Sequence, residues 1–425
     1  MVTDLGLPRG RFALLFAIML VAAAGNTAMQ SLMPSIGREL KIPDLWVAVA
    51  FSLSAVAWVV AAPHWAKLSD SRGRRALMRR GLYGFIISNL ICGSVLAAGL
   101  AGLLAPTLVF IAFTIGRAVY GIWGSASPPA VQAYLAARTD GEQRTNALGA
   151  MSSSFGLGTI IGPALAPLFI FRPLGLSGPL IVFAAIGVLV LLLLIFRLPD
   201  DTPSRDAQGP IVSYPGMGGG GLSSAEPEAG PRGALRWRDG RVSDWLAAGA
   251  IGGQGQAAAL GVIGFLLIDR LSLPLGEAQQ WIALVLMIGA LASLVSQWWL
   301  IPALRLSPGE LVIWGSLLSA AGLGVTGLAG GVYGIALGFA LASLGFGLFR
   351  PGFTSGASLA VSPHEQNQVA GMVTSVNGVA YIFAPAIGVA LYGVAMPLPF
   401  LVTGALMAGL ALWVSLNPRL SDRAG

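Results

Sequence analysis

The stretch Leu176-Ser177-Gly178-Pro179-Leu180-Ile181-Val182-Phe183-Ala184-Ala185-Ile186-Gly187-Val188-Leu189-Val190-Leu191-Leu192-Leu193-Leu194-Ile195-Phe196-Arg197 carries no charge until its last residue. As an α-helix, 176–197 would span about 33 Å at ~1.5 Å per residue. That length matches the ~30 Å hydrocarbon core of a bilayer. The stretch has no polar stripe, so it does not read as the surface helix of a soluble domain. Directly after it the character reverses. Residues 198–243 contain Pro199, Pro203, Pro210, Pro215, the run Gly218-Gly219-Gly220-Gly221, Pro227 and Pro231. Such a composition builds no packed core and predicts a flexible linker.

Apolar blocks flank this junction on both sides. Spans are predicted at 12–34, 45–66, 80–103, 107–137 and 143–169 before 176–197, and at 244–268, 277–303, 309–329, 331–360, 365–392 and 395–417 after the linker. The expected fold is an all-α membrane protein of twelve transmembrane helices in two pseudo-symmetric halves. The expected domains are 1–197 and 244–425, joined by 198–243. Arg9 and Arg11 precede Ala22-Ala23-Ala24-Gly25, which imitates a cleavage site. The stretch from Phe12 to Pro34 is too long for a signal-peptide core and predicts an uncleaved first helix.

Composition excludes several functions. The 425 residues are 55% hydrophobic and 10% charged, against about 25% charged in soluble domains. The net charge of +7 lies in loops between spans, so no nucleic-acid partner is expected. The single Cys92 and the two His residues give no disulfide and no metal cluster. No nucleophile–base pair suggests catalysis, so no enzyme activity and no cofactor are expected. Of 25 Lys and Arg, 19 fall on the side of the N-terminus and four opposite it, with Arg117 and Arg350 inside spans. That asymmetry predicts an inner-membrane protein with both termini and the linker in the cytoplasm.

An internal repeat accompanies the six-plus-six pattern. A shift of 222 positions carries Gly149 onto Gly371, Ser153 onto Ser375, Gly156 onto Gly378, Pro163 onto Pro385 and Pro129 onto Pro351. Two related halves with a binding site between them near the midplane are a recurring transporter design.

The loop after the second span reads Ala66-Lys67-Leu68-Ser69-Asp70-Ser71-Arg72-Gly73-Arg74-Arg75. Gly73 permits a tight turn. Asp70 can pair with Arg74 or complement a helix N-terminus. The fourth span carries Arg117, Gly121, Gly124 and Pro128-Pro129. Arg117 lies near mid-membrane, where a charge is costly and points to function or to a structural hydrogen-bonding role. In the fifth span, Gly149 is followed by Gly158, Gly162 and Pro163, then Ala166-Pro167. Ser154, Gly158, Gly162 and Ala166 recur every four residues, a small-residue groove for close helix approach.

These motifs resemble the major facilitator superfamily. Leu68, Asp70, Gly73, Arg74 and Arg75 match its cytoplasmic loop pattern, with Ala66 and Ser71 departing from it. Arg117 and Gly121 match its fourth helix. Gly149, Gly158, Gly162 and Pro163 match its antiporter motif, where Ala166-Pro167 stands in place of a Gly pair. The resemblance implies a gating role for the loop and, for 117–167, kinship with drug–proton antiporters and tetracycline exporters.

None of the 18 Asp and Glu falls well inside a predicted span. Many drug–proton antiporters carry an acid on the first helix where this chain has Gly25 and Asn26. A coupling ion is therefore expected without an evident proton carrier. In the superfamily the first, fourth, seventh and tenth helices line the cavity. The candidate substrate-cavity residues are Asn26, Gln30, Arg117, Gln254, Gln256 and Arg350, with Asn377 and Tyr381 on the eleventh. For each amide the alternative is an ordinary interhelical hydrogen bond. The expected activity is export of a small, partly apolar molecule by alternating access, by a monomer in the lipid bilayer. Two alternatives stay open: transport of an anionic metabolite held by Arg117 and Arg350, and a non-transporting sensor or assembly factor of the same fold.

Overall fold

The computed structural model describes residues 7–139, 141–199, 235–362 and 365–420. The side chains at 66, 67, 69–71, 136, 141–146, 149, 152, 366 and 367 lie outside that description. Asp70, Gly149 and linker residues 200–234 are thus outside the described residues. The chain divides into two compact units, Met1–Pro227 and Glu228–Gly425.

The first unit contains α1 (Arg9–Glu39), α2 (Asp44–Arg72), α3 (Arg74–Leu100), α4 (Pro106–Val119), α5 (Ser127–Ala136), α6 (Gly141–Leu165) and α7 (Gly178–Arg197). The predicted fourth span is not one continuous helix. A π-helical turn, Tyr120–Gly124, separates α4 from α5. Pro128 and Pro129 follow within a few residues and lack the N–H groups that would bond the carbonyls of Gly124 and Ser125 in an α-helix. The Trp65 indole N–H donates to the Ile122 carbonyl within that turn at 2.6 Å, satisfying backbone that the irregular turn loosens. Gly73, between α2 and α3, has φ +80°, a conformation that favours glycine.

The second unit contains α8 (Ser243–Leu271), α9 (Leu275–Val295), α10 (Ile301–Leu304), α11 (Pro308–Leu328), α12 (Val332–Leu359), α13 (Gln366–Val394) and α14 (Leu398–Leu416). The predicted eighth span is interrupted by a π-turn at Ser296–Leu300 just before Pro302, again where a proline removes a donor. The N-terminus of α11 carries a capping box between Ser307 and Glu310.

Eleven helices among the described residues are long and apolar enough to cross a membrane. The fifth span, α6 and its 3₁₀ continuation to Phe169, makes the twelfth, with the described apolar part Ser153–Phe169.

The two units repeat one packing scheme. In the first, α1 packs on α6 and α7, α3 on α7, α4 and α5, and α2 on α4. In the second, α8 packs on α13 and α14, α11 on α14 and α12, and α9 on α12. The helices correspond in sequence order, with α4 and α5 together matching α12. The repeat seen as a 222-residue shift is therefore a repeat of structure as well.

Candidate functional site

The groove on α6 determines how α1 is placed. A Cβ at Gly158 would lie 2.5 Å from the Leu20 carbonyl oxygen and 2.7 Å from the Ala23 Cβ. At Gly162 it would collide with the Ala24 carbonyl and lie 2.5 Å from Thr27 Oγ1. Ser154 Oγ donates to the Phe16 carbonyl at 2.5 Å. Backbone thus meets backbone, which only small residues permit. Pro163 lies inside α6.

That packing fixes the face of α1 that carries Asn26, and Asn26 meets Arg117. Arg117 on α4 is 1% exposed. Its Nη2 donates to Asn26 Oδ1 at 2.9 Å and its Nη1 approaches Met29 Sδ at 3.5 Å. The guanidinium lies 4.8 Å from the centre of the Phe51 ring and 5.1 Å from that of Tyr120. Ser54 on α2 donates to the Arg117 carbonyl at 2.8 Å. Three helices of one unit converge on this cation. A guanidinium is planar, so it can stack on an aromatic face and donate in its own plane at the same time. Gln30 is half-buried, one turn beyond Asn26.

The second unit gathers a different set. Arg350 on α12 is half-buried, and Tyr381 lies on α13, which packs on α12. Tyr381 also packs on Ala257, Ala258, Ala380 and Ala384, where α8 and α13 meet. Ala380 and Ala384 are the 222-shift counterparts of Gly158 and Gly162. The same small-residue contact therefore holds the seventh predicted span to the eleventh. Asn377 is 5% exposed, and among the described residues its Nδ2 has no hydrogen-bond partner. Gln254 and Gln256 are both half-buried on α8.

The expected loop 66–75 is helical except at Gly73, with Leu68 in α2 and Arg74 and Arg75 in the first turn of α3. Arg75 Nη2 donates to the Ile195 carbonyl at 2.6 Å. A cation there complements the C-terminal end of α7. Arg74 is buried and Leu68 half-buried.

The aromatic shell of Arg117 was not anticipated by the sequence reading. Tyr120 lies three residues along from it, a spacing that shares a helix face. Phe51 and Met29 are brought in by other helices, and nothing local marks them. Gln132 on α5 was also missed. It is fully buried, and among the described residues neither its amide oxygen nor its nitrogen has a partner. The seventh predicted span ends too early at 268, because α8 continues to Leu271 and takes Asp269 into its last turn. Tyr392 Oη donates to Asp269 Oδ2 at 2.7 Å.

Outside the membrane spans, Arg241 donates to both oxygens of Asp239 and both of Glu365. Hydrogen bonds from Arg241, then from Ser362, hold the Glu365 carboxyl down at about 2, and Arg241 likewise depresses Asp239.

The sequence model of the Major Facilitator Superfamily matches residues 15–309. The multidrug resistance protein MdtG of Proteus mirabilis (strain HI4320) is 32% identical over 162 residues, 36% of this chain and 37% of that one. The class C tetracycline resistance protein of Escherichia coli is 29% identical over 195 residues, 45% of this chain and 46% of that one. The chain thus spans less than half the length of these relatives. A crystal structure of the human organic anion transporter MFSD10 aligns with a TM-score of 0.60 at 17% identity, over 96% of this chain and all of that one. At that identity the likeness concerns the fold alone.

Proposed function

Because the chain belongs to the Major Facilitator Superfamily, we propose that it exports a small, partly apolar molecule, neutral or anionic, by alternating access between its two halves. Export is supported by the drug-resistance relatives and by the motif glycines Gly158 and Gly162 at the α1–α6 contact. The charge preference rests on one observation. Arg117 is buried among an amide, a thioether and two aromatic faces, and none of the 18 acids falls well inside a predicted span. Two like charges about 6 Å apart at an effective dielectric near 20 repel by roughly 3 kcal/mol. That is about a hundredfold against a lipophilic cation.

Localisation belongs to the same proposal: an inner-membrane protein with both termini and 198–243 in the cytoplasm, supported by the Lys and Arg count. Leu68, Asp70, Gly73, Arg74 and Arg75, at the junction of α2 and α3, serve as its gating segment. Growth-inhibition curves for a panel of neutral, anionic and cationic compounds, with and without expression, test the reading. Expression should raise tolerance to members of the first two groups. Unchanged curves across the panel would remove the export assignment.

A further inference from the structure

The end of the linker is folded. Asp239 N–H donates to the Arg236 carbonyl at 2.9 Å, closing a turn whose two central residues are Trp237 and Arg238. Arg241 N–H donates to Asp239 Oδ1 at 3.0 Å, and Ser243 N–H to the Asp239 carbonyl at 2.9 Å. Leu235 N–H donates to Gln368 Oε1 at 2.7 Å. With the Arg241–Glu365 pair, these bonds fix the segment on the end of the loop between α12 and α13 and on the first turn of α13. Two residues beyond Arg241, α8 begins.

This scaffold holds two arginines in reserve. Arg241 engages both carboxylates of the cluster, as described above. Arg236 and Arg238 are exposed, and neither guanidinium has a hydrogen bond or ion pair among the described residues. Between them Trp237 is 53% exposed. Residues 235–239, Arg241 and Glu365 surround an open cavity of about 890 Å³. Arg419 comes alongside at Gly240, held 3.8 Å from Asp244. Two arginines that flank an indole at the mouth of a membrane helix combine two demands. The cations seek phosphate oxygens. The indole seeks the boundary between headgroup and acyl chain.

We propose that Leu235–Arg241 is a binding site for the headgroup of an anionic phospholipid. Arg236 and Arg238 hold the phosphate, and Trp237 lies at the base of the acyl chains. The exposed indole decides for a lipid over a free phosphate, because inorganic phosphate offers it no apolar surface. The site rests on α8 crossing the membrane and is independent of what the protein transports.

The test uses the full-length protein in detergent. Native mass spectrometry follows the titration of phosphatidylglycerol and, separately, phosphatidylcholine. Phosphatidylglycerol should bind more tightly. The double substitution Arg236→Gln/Arg238→Gln should weaken it about thirtyfold, the factor for two surface arginines. It should leave thermal melting unchanged. Arg9→Gln/Arg305→Gln removes the same charge elsewhere and should leave binding intact. Equal affinity for the two lipids would overturn the site. An equal loss in the control variant would reduce it to general electrostatics and overturn it too. Displacement of the lipid by millimolar inorganic phosphate at constant ionic strength would reassign it to a free anion.

Discussion

A guanidinium buried as deeply as Arg117 is costly if nothing faces it. Asn26 offsets part of that cost with a carbonyl oxygen, and Phe51 and Tyr120 with the negative faces of their rings. This arrangement makes the rings energetic partners of the charge as well as packing. Phe51→Leu keeps an apolar side chain but removes the ring. It should destabilise the protein by about 1–2 kcal/mol in unfolding from mixed micelles. In an Arg117→Met background the same substitution should cost about 1 kcal/mol less. A double-mutant cycle with no coupling would mean that ring and cation do not act on each other. Arg117 and Asn26 were both legible in the sequence, because a mid-span charge and a polar residue in an apolar block stand out. Their contact was not legible. It depends on the rotation of α1 against α6, which is fixed by Gly158 and Gly162 far along the chain. Gln132 escaped for a different reason: it lies near the end of the predicted span 107–137, where a polar residue is ordinary, and its burial emerges only from the packing of α5.

Between helices, close approach is the organising interaction. Gly158→Leu would drive a side chain into the Leu20 carbonyl and Ala23. Overpacking of this kind costs about 1–3 kcal/mol, and the α1 face that carries Asn26 would shift with it. Lower melting temperature and lost transport are expected. Gly371→Leu is the control, since nothing lies within 4 Å of a Cβ there. Equal tolerance of both substitutions would place the α6 groove against lipid. The clamp at the end of the linker gives a pH prediction. The Glu365 carboxyl is held at about 2, below its usual value of 4.5. A depressed carboxylate contributes stability above its unfolded value and loses it as the pH falls through the folded one. Hydrogen exchange at 235–241, corrected for intrinsic rates, should therefore be unchanged between pH 7 and pH 5. Glu365→Gln should accelerate it at pH 7. Protection that weakens already at pH 5 would contradict the clamp. The spans were readable from hydropathy alone. The π-turns were not, although Pro128, Pro129 and Pro302 marked where α-helical bonding had to fail. Nor was the folded end of the linker, because its Pro- and Gly-rich composition conceals the bonds that Arg241 makes with Glu365 across more than a hundred residues.

Across the whole molecule, two units with one packing scheme give the alternating-access reading its physical basis. The proposed orientation is checked by labelling. Cys92 is buried, so a Cys placed at Ser213 would provide the accessible thiol. A membrane-impermeant maleimide added to intact cells should miss it, and strong labelling would invert the topology. The transport claim itself turns on the charge at Arg117. The most direct measurement is retention of fluorescent compounds in energised cells, with wild-type and Arg117→Ala proteins at equal membrane abundance. The account predicts that the wild type lowers retention of a neutral or anionic apolar compound, that Arg117→Ala abolishes the effect, and that a quaternary ammonium dye is retained regardless. Robust expulsion of that dye by the wild type, undiminished in Arg117→Ala, would contradict it.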